Sequence, residues 1–95
     1  MKYNEEKVLY FADQQKCLHV HPSEAERKTT LHNLVHLAQV GGHLEWVASD
    51  DSGDYYRITF NGKLRLLELQ IAWRKSQGKD TAEHERQLEV LRGRN

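Results

Sequence analysis

Residues Thr29–Leu69 read TTLHNLVHLAQVGGHLEWVASDDSGDYYRITFNGKLRLLEL, and the fold turns on how this stretch divides. Leu31, Leu34, Val35 and Ala38 recur at helical spacing and share one face, while His32, Asn33, His36 and Gln39 fall off it. Gly41-Gly42 then stops the helix, because glycine accepts the left-handed conformation that ends helices. Leu44, Trp46 and Ala48 alternate with Glu45 and Val47, the period of a strand with one buried side. The run from Asp50 to Asp54 is turn chemistry. Tyr55 to Phe60 is aromatic and β-branched and alternates again, with Tyr56, Ile58 and Phe60 on one side. The expectation is a hairpin with Trp46, Tyr56 and Phe60 filling the core.

After Phe60 two readings compete. Asn61-Gly62 is the sequence of a tight hairpin turn, which would make Lys63 onward a third strand. However, residues 63–75 are dominated by Leu, Glu, Gln, Ala, Arg and Lys, which are good helix formers, and the run is too long for an ordinary strand. Leu64, Leu67 and Ile71 form one helical stripe and Leu66, Leu69 and Trp73 an adjoining one, so a helix is favoured.

Helix, glycine stop, hairpin and then YRITFNGKLRLLEL (Tyr56–Leu69) together resemble the recognition helix, wing and closing helix of a winged helix-turn-helix domain. Bacterial regulators of that kind often carry a Y-R-L-T-x-x-G phrase where the second wing strand meets the last helix; here it is Tyr56 to Gly62. The segment from Leu31 to Trp46 is also similar to the helix-into-wing of small phage and prophage winged-helix proteins. The resemblance spans about residues 22–75. It implies a mainly α, α+β fold: helices with a two- or three-stranded wing hairpin, plus a C-terminal helix. It constrains function less, since one fold serves both DNA binding and protein docking.

Working outward, residues 4–16 read as a first helix. Asn4 is its cap, Glu5 and Glu6 suit the positive end of its dipole, and Val8, Phe11 and Ala12 form an apolar stripe. Cys17 to His21 reads as a short strand broken by Pro22. Ser23 with Glu26 is a capping box that opens a helix. Residues 23–40 are then either one helix or two; only Thr29-Thr30 offers a break, as either threonine can cap a new helix. Gln77-Gly78-Lys79 stops the closing helix, giving a winged-helix domain over 1–76 and a helical tail over 77–95. In the tail Asp80 caps, with Glu83 at the box position. Its narrow stripe of Ala82, Leu88, Val90 and Leu91 needs something to cover it, as a dimer arm would, or else the end is loosely held.

Ninety-five residues, 38% hydrophobic and 29% charged, allow one domain with one modest core. No apolar run is long enough to span a membrane and the N-terminus has no signal-peptide stretch. The lone Cys17 excludes an internal disulfide, which suits a cytoplasmic setting. Fourteen basic and 14 acidic residues cancel, but unevenly. Residues 31–62 hold one basic residue (Arg57) and four acidic ones (Glu45, Asp50, Asp51, Asp54), for −3; residues 63–95 hold eight basic and five acidic, for +3.

Two functions follow. In the first, a small, dimeric DNA-binding transcriptional regulator places its second helix in the major groove of duplex DNA. Arg27 and Lys28 neutralise phosphates, while Thr29, Thr30, His32, Asn33, His36 and Gln39 meet phosphates and base edges. The neutral total and acidic wing tip weigh against it. In the second, the domain is an interaction module, such as a phage or mobile-element factor, that docks on a host protein complex through its acidic hairpin, with Asp51, Asp54 and Tyr55 as contacts.

Neither function involves catalysis or a cofactor. Cys17 lacks a surrounding nucleophile motif, the loop aspartates lack the glutamate that completes a calcium loop, and no Gly-rich phosphate loop is present. His32 and His36 have metal-sharing spacing. With Cys17 and His21 they faintly echo a zinc pattern, but the ten residues between His21 and His32 fall short of the finger spacing of about 12, so no metal is expected.

Overall fold

A computed structural model describes residues 3–93. The elements run α1 (Glu5–Gln14), β1 (Leu18–Val20), α2 (Pro22–Arg27), α3 (Thr30–Val40), β2 (Leu44–Asp50), β3 (Gly53–Ile58), α4 (Phe60–Ser76) and α5 (Ala82–Gly93). This is a mainly helical α+β fold with a hairpin and a C-terminal helix. It is compatible with a winged helix. The three strands form one antiparallel sheet in the order β1-β3-β2, so the hairpin gains β1 as a third strand and β2 is left at an edge.

The core gathers one face of α1 (Val8, Leu9, Ala12), one face of α3 (Leu31, Val35, Ala38), both ends of β1, and Leu44, Ile58 and Leu66. Leu9 and Leu44 have almost no exposed surface. Burying a leucine side chain contributes roughly 2 kcal/mol. Asn4 caps α1, its side chain accepting from the Lys7 N–H at 2.8 Å.

The 23–40 segment is two helices. Lys28 ends α2 in the left-handed region (φ 51°), and Thr29 caps α3 by accepting from the His32 N–H at 3.2 Å. The cap of α2 is not Ser23 but His21, whose Nδ1 accepts from the Ser23 N–H at 3.2 Å. Pro22 therefore starts the helix instead of merely preceding it: its ring fixes a helical φ at a position where no N–H is needed. At the far end of α3 the Gly42 and His43 N–H groups return to the carbonyls of Gln39 and Ala38, closing a Schellman stop.

The hairpin is tighter and less buried than its alternation implies. Its turn is the pair Asp51-Ser52, since Asp50 already pairs with Gly53. Gly53 has φ 131°, and a Cβ there would lie 2.1 Å from the Val20 carbonyl oxygen. The register shifts between Trp46 and Ala48, which leaves Val47 as an extra residue and breaks the one-sided alternation. Only Leu44 of β2 is buried. Trp46 is 53% exposed, contrary to the core role its spacing suggests.

Phe60 is also exposed, because it begins α4 instead of ending a strand. Asn61-Gly62 is therefore not a hairpin turn. Thr59 caps α4, accepting from the Gly62 N–H at 2.9 Å while its hydroxyl donates to the Gly42 carbonyl at 2.6 Å and its backbone N–H donates to that of His43 at 3.0 Å. Gly62 permits this approach: a Cβ there would sit 2.1 Å from the His43 oxygen.

Leu88 and Leu91 of the α5 stripe fold back on α4, while Ala82 and Val90 stay exposed. Leu88 packs with Leu67 and Ile71 in a second cluster that Leu64 and Leu91 border. Asp80 accepts from the Ala82 N–H at 3.0 Å, whereas Glu83 pairs with Arg86 and leaves the proposed box unformed. Among the described residues no helix is long and apolar enough to cross a membrane.

Candidate interface on the third helix and the hairpin

Helical geometry sorts the candidate residues of α3. With Leu31, Val35 and Ala38 inward, Asn33, His36, Leu37 and Val40 point out and are exposed. His32 and Gln39 lie on the flank, where with His36 they line a shallow cleft whose other wall carries Asp54 and Tyr56. Thr29 is half-buried and engaged: besides capping α3, its hydroxyl donates to Glu24. Thr30, Arg27 and Lys28 are exposed beside it. The Asn33 amide donates back to the Lys28 carbonyl at 3.5 Å.

The outward face of α3 carries no charge. It carries Leu37 and Val40 instead, 65% and 73% exposed and the most exposed large hydrophobics among the described residues. These two were missed in the sequence. They are the apolar residues of the helix that do not fit the Leu31, Leu34, Val35, Ala38 stripe, and that misfit is the signal that finds them.

The hairpin supplies a second exposed surface. The Trp46 indole N–H donates to Ser49 Oγ at 3.1 Å and to Asp54 Oδ1 at 3.3 Å, and the Ser49 hydroxyl also bonds Asp54. Thus Trp46 lies over the hairpin, and Val47 beside it is 43% exposed. On the opposite face Tyr55 donates to Asp50 Oδ2 at 3.0 Å and rests on His19, ring centres 5.0 Å apart. Bonding to the Asp50 carboxylate holds the Tyr55 phenol above its ordinary range. Tyr56 is raised as well, by burial first and by Asp54 second. Asp51 sits exposed at the tip. The predicted partner contacts Asp51, Asp54 and Tyr55 thus share the hairpin end but not one face.

The basic residues after residue 62 are largely engaged elsewhere. Arg65 grips Glu5 with two hydrogen bonds, 2.9 and 3.0 Å, which hold the Glu5 carboxyl below its usual range. Arg74 donates to the Asp80 carbonyl at 2.7 Å, Lys75 pairs with Glu85, Arg92 with Glu68, and Lys79 lies over the Trp73 ring. These contacts belong to α1, α4 and α5, not to α3. Arg57, on the hairpin itself, is paired with Glu45.

Among the described residues no three His, Cys, Asp or Glu side chains converge as ligands for a metal ion. No protein-family model matches the chain, and no curated protein or solved structure matches it.

Proposed function

We propose that this chain is a winged-helix module that docks on another protein through the outward face of α3 and the neighbouring hairpin. One observation carries the reading: that face is uncharged and exposes Leu37 and Val40, beside a hairpin whose charges are four acidic residues and one paired arginine. Duplex DNA draws much of its binding energy from neutralised phosphates. An uncharged apolar face would gain little there, and of the basic residues on α4 and α5, Arg65, Lys75 and Arg92 are tied into pairs. A protein surface with an apolar centre and basic rim complements the same face.

The competing reading is a DNA-binding regulator in which Arg27 and Lys28 meet phosphates and Asn33 and His36 reach base edges. Paired variants separate the two. Leu37→Gln with Val40→Gln removes the apolar patch with good helix formers and no new charge, and should leave stability within about 0.5 kcal/mol. It is expected to abolish retention of a partner that the unaltered chain captures. Arg27→Ala with Lys28→Ala is expected to leave that retention unchanged. If the second pair instead removes tight, salt-sensitive duplex binding, the regulator reading takes over.

A further inference from the structure

We propose that the outer edge of β2 accepts an extended, Lys/Arg-bearing segment of a partner protein as a fourth strand; this rests on the protein-docking reading above. β2 is seven residues long and pairs on one side only, with β3. The Thr59 N–H bonds the His43 carbonyl, which makes His43/Thr59 a bonded pair and Glu45/Arg57 the next. The alternation aims the backbone groups of Trp46 away from β3, and beyond the bulge those of Ser49. A free edge of this kind is a template for another strand.

Natural edges are commonly blunted by lysine or proline. β2, LEWVASD, has neither; the protection it does carry is the Val47 bulge and the acidic Glu45 and Asp50, which disfavour a like-charged strand but not a basic one. Every residue after Leu44 is exposed, with Trp46 and Val47 available to cover an incoming backbone. Charge decides the occupant. Two copies of β2 laid antiparallel would bring Glu45 of one chain towards the Asp50-Asp51 end of the other, acid against acid. An incoming strand with alternating basic residues meets the Asp50 and Asp51 carboxylates favourably, Glu45 being already paired with Arg57.

The test uses the full chain, labelled with nitrogen-15, and a heptapeptide of alternating lysine and valine. A twin peptide carries N-methyl groups on alternate backbone amides, which removes the donors of one edge. The expected result is slowed amide exchange at Trp46 and Ser49 with the plain peptide. Binding should weaken at least about tenfold, or about 1.4 kcal/mol, for the N-methylated twin. A similar loss is expected for Val47→Lys, while Val47→Thr keeps the affinity. Equal binding of both peptides would overturn strand addition in favour of mere charge attraction. So would shifts confined to Leu37 and Val40, which leave the docking reading standing, or no shifts at millimolar peptide. Failure of the docking reading itself shows separately, as tight and salt-sensitive binding of duplex DNA.

Discussion

The two ends of the hairpin differ in what holds them. At the base, Leu44 and Ile58 are buried, and Thr59 and Gly62 tie β3, α4 and the Gly42-His43 corner together within hydrogen-bonding distance. Beyond Leu44, Trp46 and Val47 are exposed, and the polar groups towards the tip bond within the hairpin itself: Trp46 and Ser49 to Asp54, and Tyr55 and the Ser52 N–H to Asp50. The base specifies the fold, whereas beyond it only Gly53, held against the Val20 carbonyl, is demanded by contact with the rest of the molecule. Residues that the fold does not require are the place to look for recognition.

That contrast fixes an order of expected effects. Gly62→Ala forces a Cβ against the His43 oxygen and should cost about 3 kcal/mol, read as a lower midpoint in denaturant; a loss under about 0.5 kcal/mol would mean the corner can open freely. Thr59→Ala removes the cap of α4 and the bond to Gly42, for about 1 to 2 kcal/mol in the same measurement. Trp46→Ala at the tip should cost less than about 1 kcal/mol of stability, because the ring is half in solvent; a loss above about 2 kcal/mol would make the tip part of the core.

The smallest effect is a pH dependence. Arg65 lowers the folded-state pKa of Glu5, so the pair stabilises the protein above the ordinary carboxylate pKa. That contribution fades as pH falls through the lowered value. Both side chains are more than a third exposed, and solvent screening limits the effect to about 0.5 kcal/mol. Arg65→Met should flatten that part of the acid limb of a stability-against-pH curve; an unchanged limb would show that the pair is energetically silent.

Much of the fold was legible because its signals are local. Asn4, Thr29 and the Gly41-Gly42 stop each act within a few residues of the boundary they set. Helix formers outvoted Asn61-Gly62, and the competing turn signal arose because Gly62 is required by contact with His43, a residue distant in sequence. Trp46 misled for the same kind of reason. Alternation reports which residues share a face, not whether the strand still has a core beneath it, and the Val47 bulge interrupts even the alternation. The cover for Leu88 and Leu91 was equally invisible, since it comes from α4 across a turn whose geometry no local motif encodes. On α3 the helical period separates the polar residues from the buried stripe, but it gives no sign that Leu37 and Val40 share the wet side with Asn33, His36 and Gln39 beyond their misfit to that stripe.

The most direct test of a protein-docking face is the affinity of the whole chain for a random pool of labelled DNA duplexes across a salt series. Docking on protein predicts binding no tighter than about 10⁻⁴ M at physiological salt, with no sequence enriched. Affinity in the range of about 10⁻⁸ M or better, falling steeply with salt and enriching a two-fold-symmetric site, would contradict it and make α3 a reader of the major groove.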